Sequence, residues 1–203
     1  MEKAAGRRNG VAREIGGELH ASLRRRDVCE TELLAASFWL SIASVDYKDF
    51  VHIRPATIAD IPSIMQLERR SATAGHWTEE QYRQAFQREG ATRLVLIAEE
   101  ISTQAETGAL GFLVAQHLPP EWELENIVVA PTSRRNGLGK RLLDALLAAT
   151  MKTNSTAVFL EVRESHTAAR TFYEKAGFEQ TGRRKAYYTN PSEDAVLYCL
   201  TLP

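Results

Sequence analysis

The chain has 203 residues, 44% hydrophobic and 25% charged, with a net charge of −1, which suits one packed domain with an appendage. That near-neutral balance removes the global electrostatic case for binding DNA or an anionic membrane surface. Its two cysteines, Cys29 and Cys199, form no metal or redox motif, so no metal is expected and a reducing cytoplasm is the simplest setting.

Residues 1–50 differ from the rest. Arg7-Arg8 and Arg24-Arg25-Arg26 are basic clusters balanced by nearby acids, and residues 33–45 (LLAASFWLSIASV) lean apolar. That run is shorter than the roughly 20 residues a membrane-spanning helix needs, and it starts too far from Met1 for a signal peptide. Three readings stay open: a helix packed on the main domain, an interfacial anchor, or an upstream extension the working protein does not need.

The main domain is expected over residues 51–203. Val51-His52-Ile53-Arg54 alternates as a first strand that Pro55 ends. Thr57 is placed to cap a helix with Ile61, Ile64, Met65 and Glu68 on one face. Thr78 and Gln81 form a capping-box pattern ahead of the i,i+4 pair Tyr82 and Phe86. Residues 93–99 and 109–117 read as strands, with residues 102–108 as a hairpin loop. A further strand over 122–129 ends before Pro131. Leu138, Leu142, Leu143, Leu146 and Leu147 then recur at helical spacing. A buried strand (157–163), a helix (166–176) closed by Gly177 and two last strands complete the order βααβββαβαββ. The fold class is α/β, a mixed α+β arrangement with a central twisted sheet and helices on both faces.

Between the fourth strand and the third helix stands Arg134-Arg135-Asn136-Gly137-Leu138-Gly139. A strand, a basic glycine-containing turn and a helix start make an anion cradle, because the first N–H groups of a helix are unpaired, its dipole is positive there and glycine admits a phosphate. A Walker-type loop is excluded, since Arg134 and Arg141 replace its glycine and its hydroxyl residue. A dinucleotide fingerprint is excluded by Leu142.

The turn resembles the Arg/Gln-x-x-Gly-x-Gly/Ala motif of the GNAT N-acetyltransferases at Arg134, Gly137 and Gly139. From Val51 to Leu202 the chain resembles their ribosomal-protein alanine N-acetyltransferase group, the RimI group. The likeness rests on Asn126-Ile127-Val128-Val129, Leu160-Glu161-Val162-Arg163, the run from Phe172 to Phe178, and Tyr187-Tyr188 followed by Glu193-Asp194-Ala195. It implies the GNAT fold and an enzyme, with acetyl-CoA as co-substrate and the N-terminus of a ribosomal protein as acceptor. It also implies Glu161 as general base and Tyr173 as general acid. Acetyl-CoA would be held by Ile127, Val128 and Val129 on the strand, by Arg134, Arg135, Asn136, Gly137, Leu138, Gly139 and Lys140 at the turn, and by His166. Trp77, Tyr187 and Tyr188 would meet the peptide. The chain departs from the group at three places: His166 stands where asparagine is usual, Ala186 where a polar residue often precedes the tyrosines, and His76-Trp77 where Pro-Trp is common.

The chemistry has support apart from the likeness. An α-amine has a reference pKa of about 8 against about 10.4 for lysine, so an N-terminus is more easily deprotonated at neutral pH. Glu161 interrupts the apolar run Val158-Phe159-Leu160, where a charge is costly without a purpose, and it can take the proton directly or through water. The alternative is a structural ion pair with Arg163 or Arg170. Glu123 and Glu125 are rival bases, or else part of an exposed strand face. Tyr173 can protonate the leaving thiolate, or be a core aromatic beside Phe172 and Phe178. A main-chain N–H near Val128 or Val129 would meet the developing oxyanion. Tyr187 and Tyr188 wall the entrance or pair across a hairpin. Two other functions compete: a small-molecule amine acetyltransferase, expected to have a closed acidic pocket, and a non-catalytic acyl-CoA sensor or complex subunit, against which intact Glu161 and Tyr173 argue.

Overall fold

The computed structural model describes residues 50–71, 75–87, 93–101 and 108–203. The basic clusters and the apolar run of the extension, Cys29, and most of the expected hairpin loop at 102–108 lie outside the described residues. The elements are β1 (Val51–Pro55), α1 (Ile61–Arg69), α2 (Glu79–Gln87), β2 (Arg93–Glu100), β3 (Gly111–Leu118), β4 (Glu121–Val129), α3 (Leu138–Thr150), β5 (Ala157–Arg163), α4 (Thr167–Lys175), β6 (Glu179–Thr189) and β7 (Ser192–Thr201). This is the expected order, a mixed sheet with helices on both faces.

Among the described residues seven strands form one sheet in the order β1-β2-β3-β4-β5-β7-β6. All neighbours are antiparallel except β4 and β5, whose connection runs through α3, as a parallel crossover requires. Two cores flank the sheet. Leu138, Leu142, Leu143 and Leu146 of α3 and Tyr173 of α4 pack on one face with Leu113, Leu124, Val158 and Leu160. Ile61, Ile64 and Leu67 of α1 and Tyr82 of α2 pack on the other with Val95, Ile97, Phe112 and Val128.

Local chemistry accounts for the helix ends. Thr78 N–H donates to Gln81 Oε1 (2.8 Å) and Gln81 N–H to Thr78 Oγ1 (3.2 Å), so the capping box at α2 is formed. Thr57 caps differently from the expectation. It pairs with Asp60 around a short 3-10 turn, and α1 begins after Asp60 with Pro62 in its first turn, where a missing N–H has no cost. At the end of α4, Gly177 takes φ +92°, Gly177 N–H donates to Glu174 O, and Phe178 N–H donates to Tyr173 O. This is a Schellman motif, and its accompanying apolar contact is the Tyr173–Phe178 ring pair, 5.7 Å between centroids. Glycine is required by the dihedral, and the motif locks the ring of Tyr173.

The feature that shapes the site is a β-bulge. Leu124 lies opposite Ala115 and Asn126 opposite Val114, which leaves Glu125 as the extra residue. Before the bulge Trp122 and Leu124 face α3 and α4. Beyond it Ile127 and Val129 take over that face, while Val128 turns toward α1 and α2. At the same point β4 leaves β5, since their ladder runs only from Glu121–Ala157 to Leu124–Leu160.

Leu142 is fully buried in the α3 core, so Leu142→Ala is expected to cost about 2–5 kcal/mol. A urea-denaturation midpoint measures the loss.

Candidate active site

Where β4 and β5 part, a cleft of about 1090 Å³ opens between them. One rim of it is the turn from Arg134 into α3. Arg135 (φ +65°) and Gly137 (φ +77°) are both left-handed there. A Cβ on Gly137 would meet nothing within 4 Å, so the glycine answers the dihedral rather than close packing. Leu138, Gly139 and Lys140 present N–H groups of the first helical turn, for which no preceding carbonyl is in register. These N–H groups and the positive end of the helix dipole lie at that rim of the cleft.

The freed edge of β4 forms one wall. Ala130 N–H donates to Leu110 O of the β3 side (2.8 Å). By alternation Val128 also spends its main-chain groups on β3, and those of Ile127 and Val129 face the cleft. Arg134 Nε donating to Val129 O (3.1 Å) marks the same edge. The expected oxyanion donor thus narrows to Val129 or Ile127, because the N–H of Val128 is turned away.

Glu161 and Tyr173 both line this cleft, one from β5 and one from α4. The Tyr173 side chain lies among Phe172, Phe178 and Tyr198. Burial pushes its pKa well up, so the phenol keeps its proton. The hydroxyl has no hydrogen-bond partner among the described residues, an unusual condition for a buried polar group. Glu161 does form an ion pair, though with neither Arg163 nor Arg170. Arg184 of β6 reaches it at 2.8 Å, and the Tyr187 hydroxyl hydrogen-bonds to it, which raises the tyrosine's own pKa. Arg163 instead lies 4.0 Å over the Tyr188 ring and binds Glu193 (3.4 Å), while Arg170 donates to Tyr198 Oη (3.2 Å).

The rival carboxylates are not simply an exposed face. Glu125 is held by Arg93 through two hydrogen bonds, 2.7 and 2.9 Å, with both side chains mostly covered. Glu123 has no ion pair among the described residues. Its pKa is raised by burial and then by the charges of Glu125 and Glu161.

The paired tyrosines sit on a second bulge. Arg184 lies opposite Ala195 and Tyr188 opposite Glu193, so three residues of β6 face one of β7. Ala186 there takes φ +50°, and its N–H is held by Asp194 Oδ1 (2.9 Å). Glu193 accepts the Ser165 N–H and so ties this hairpin to the turn before α4. The Glu-Asp-Ala tail is thereby explained: two acids fix the hairpin and Ala195 packs in the core. Tyr188 lines the cleft, and Tyr187 stands half-exposed beside Glu161.

Other predicted residues are placed less directly. Ile127, Val128, Val129, Arg134, Arg135, Gly137, Leu138, Gly139, Lys140 and His166 line the cleft, but Lys140 is paired with Asp144 at 2.7 Å. Asn136 and Trp77 do not line it. Trp77 instead packs against Tyr82, 5.3 Å between ring centroids, with the Arg93 guanidinium 5.6 Å over its ring. Its neighbours Gly75 and His76 reach the cleft. Sequence reasoning missed Asn126 and Glu68. Asn126 sits inside a strand where its polar character was the available signal. Glu68 was read only as part of a helix face.

The acetyltransferase (GNAT) family model matches residues 61–178, more than half the chain, and the chain belongs to that family. Members of that family transfer acetyl from acetyl-CoA. A curated relative, the [ribosomal protein bS18]-alanine N-acetyltransferase of Salmonella typhimurium, is 32% identical over 145 residues, covering 70% of this chain and 92% of its own. The crystal structure of the ribosomal-protein-S18-alanine N-acetyltransferase from Escherichia coli aligns with a TM-score of 0.62 at 30% identity, over 74% of this chain and 93% of that one. Ard1 from Thermoplasma volcanium aligns with a TM-score of 0.65 at 25% identity, over 75% and 98%.

His166 supplies a pH test of the site. Burial and then the charge of Arg134 lower its pKa, because both disfavour imidazolium. Arg134→Gln should therefore move the His166 titration upward, as followed by NMR of its ring protons.

Proposed function

We propose that the chain transfers the acetyl group of acetyl-CoA to the N-terminal α-amine of a protein, by direct attack in a ternary complex. An alanine-starting small-subunit ribosomal protein is the proposed acceptor, which puts the reaction in the cytoplasm. The observation carrying this reading is that Glu161 and Tyr173 line one cleft from different elements, at the point where β4 and β5 separate. The relatives' shared activity on ribosomal protein bS18 supports the acceptor.

The residues present fit acetyl-CoA. The helix-start N–H groups and Arg135 suit a pyrophosphate, the free edge of β4 suits an extended amide-bearing chain, and the unpartnered Tyr173 hydroxyl suits a thiolate. When bound, acetyl-CoA supplies a thioester carbon open to amine attack. Glu161 takes the amine proton, directly or through water. The N–H of Val129 or Ile127 meets the negative charge that develops on the carbonyl oxygen. Tyr173, kept protonated by burial, gives its proton to the departing sulfur. Tyr187 and Tyr188 border the acceptor path. Among the described residues, the cleft-lining carboxylates Glu125 and Glu161 already have guanidinium partners, which favours a peptide over the polyamine that a closed acidic pocket would take.

The acetyltransferase unit is taken as residues 51–203, with 1–50 an extension dispensable for chemistry. A chain starting near Lys48 should stay folded and acetylate a peptide, as circular dichroism and turnover would record. Loss of folding would place the apolar run 33–45 in the core.

Replacing Glu161 by Gln keeps shape without basicity, and turnover should fall by about 10²–10⁴-fold. Tyr173→Phe should lower kcat more than it raises the peptide KM. The Glu161→Gln loss should recover in part at high pH, where free amine is abundant, and the Tyr173→Phe loss should not. Near-normal turnover in both variants would refute these roles.

A further inference from the structure

Glu68 is 2% exposed, a carboxylate inside the protein with no ion pair among the described residues. Three donors converge on it: the Trp77 main-chain N–H on Oε2 (3.1 Å), and the Tyr82 hydroxyl and Asn126 Nδ2 on Oε1 (3.0 Å each). Among the described residues each partner donates a hydrogen bond and none accepts one, so the site suits a group that only accepts. An apolar residue would fill the space without the desolvation cost of a buried charge. The packing on α1 therefore does not explain the acid.

Its partners do. They come from three places: the segment entering α2, α2 itself, and β4 just past its bulge. Gly75 and His76 line the cleft together with Asn126. The backbone there is closely constrained. A Cβ on Gly75 would come within 3.3 Å of Asn126 Nδ2, and His76 takes φ +50°, a conformation that persists only when its surroundings impose it. Trp77 is held twice, through its N–H by Glu68 and through its ring by Arg93, which is in turn fixed by Glu125.

We propose that Glu68 is a positioning residue for the acceptor: its buried carboxylate pins Gly75–Trp77 to Asn126 of β4, and so sets the wall against which the incoming peptide lies. The proposal rests on the peptide-acetylating reading above. The donor side of the cleft shares none of these bonds, so acetyl-CoA binding is independent of Glu68.

Glu68→Gln is the test in the full chain. The amide can keep Tyr82 and Asn126 on its oxygen, but its NH₂ then faces the Trp77 N–H, and that tie is lost. Hydrogen exchange at the Trp77 amide should quicken, and the KM for an alanine-starting peptide should rise by about tenfold, the worth of one charge-assisted hydrogen bond. Acetyl-CoA affinity by calorimetry should stay within about twofold, since none of its proposed contacts changes. If Glu68→Gln does not fold, Tyr82→Phe removes one donor and should raise exchange at Trp77 and peptide KM by a smaller factor, about two- to threefold. Faster exchange with an unchanged peptide KM overturns the proposal, as does an equal loss of acetyl-CoA affinity, which would mark a general structural role. A wild-type chain that turns over no peptide overturns the reading beneath it. Exchange and acetyl-CoA binding are measured without peptide, so the two failures are told apart.

Discussion

The site depends on the parting of two parallel strands. β4 and β5 are joined for only four residues of each, and the extra residue Glu125 in β4 falls where they separate. A bulge adds local twist and breaks the ladder, so the sheet opens without losing its outer pairings. β4 stays bonded to β3, and β5 to β7 over its whole length. The main-chain groups of Ile127 and Val129 are left facing the gap, where Val129 O accepts from Arg134 Nε. The open edge leaves strand positions with which an extended chain can pair. It also divides the cleft: beyond the bulge β4 presents apolar Ile127 and Val129 to the α3 side and Asn126 to the α1–α2 side.

Charge is arranged around that gap with little excess. Glu125 is matched by Arg93 and Glu161 by Arg184, while Glu123 has no ion pair among the described residues and feels the other two. The pairs differ in kind. Arg93 and Glu125 are mostly covered and joined at two atoms, the geometry in which an ion pair is directional. Arg184 is more than half exposed, so solvent screens it and its hold on Glu161 is weak. A carboxylate that is lightly held is better suited to exchange a proton than one clamped as Glu125 is. The bulge in β6 brings Arg184 and Tyr187 to Glu161, and Asp194 maintains that bulge by accepting the Ala186 N–H.

Tyr173 illustrates how a local rule serves a remote purpose. Gly177 in the left-handed region closes α4, the Schellman bonds follow, and Phe178 packs on the ring of Tyr173. Arg170, Tyr198 and Glu174 add a hydrogen-bonded tie between α4 and β7, with Tyr198 Oη donating to Glu174 Oε1 at 2.6 Å. Helix termination thereby orients the phenol.

Much of this was legible in the chain. The 3.6-residue spacing of Leu138, Leu142 and Leu146, the alternation of β1 and the Thr78–Gln81 box reflect forces acting within a few residues, so the element order could be read directly. The turn from Arg134 to Gly139 was legible for the same reason, since a strand end, two glycines and a helix start lie together. Long-range pairing was not. Arg184 rather than Arg163 or Arg170 meets Glu161 because β6 folds back beside β7, and the orientation of the Val128 N–H follows from the bulge, which no local pattern marks. Glu68 looked like one more residue on a helix face until Trp77, Tyr82 and Asn126 were brought to it from three other elements. The sequence by itself determined the elements and the glycine-containing turn between β4 and α3, because each is written in neighbouring side chains, and the likeness to a known group singled out Glu161 and Tyr173. The tertiary structure alone decided which charges cancel, which main-chain groups face the cleft and what ties the segment before α2 to β4, because those depend on segments distant in the chain meeting in register.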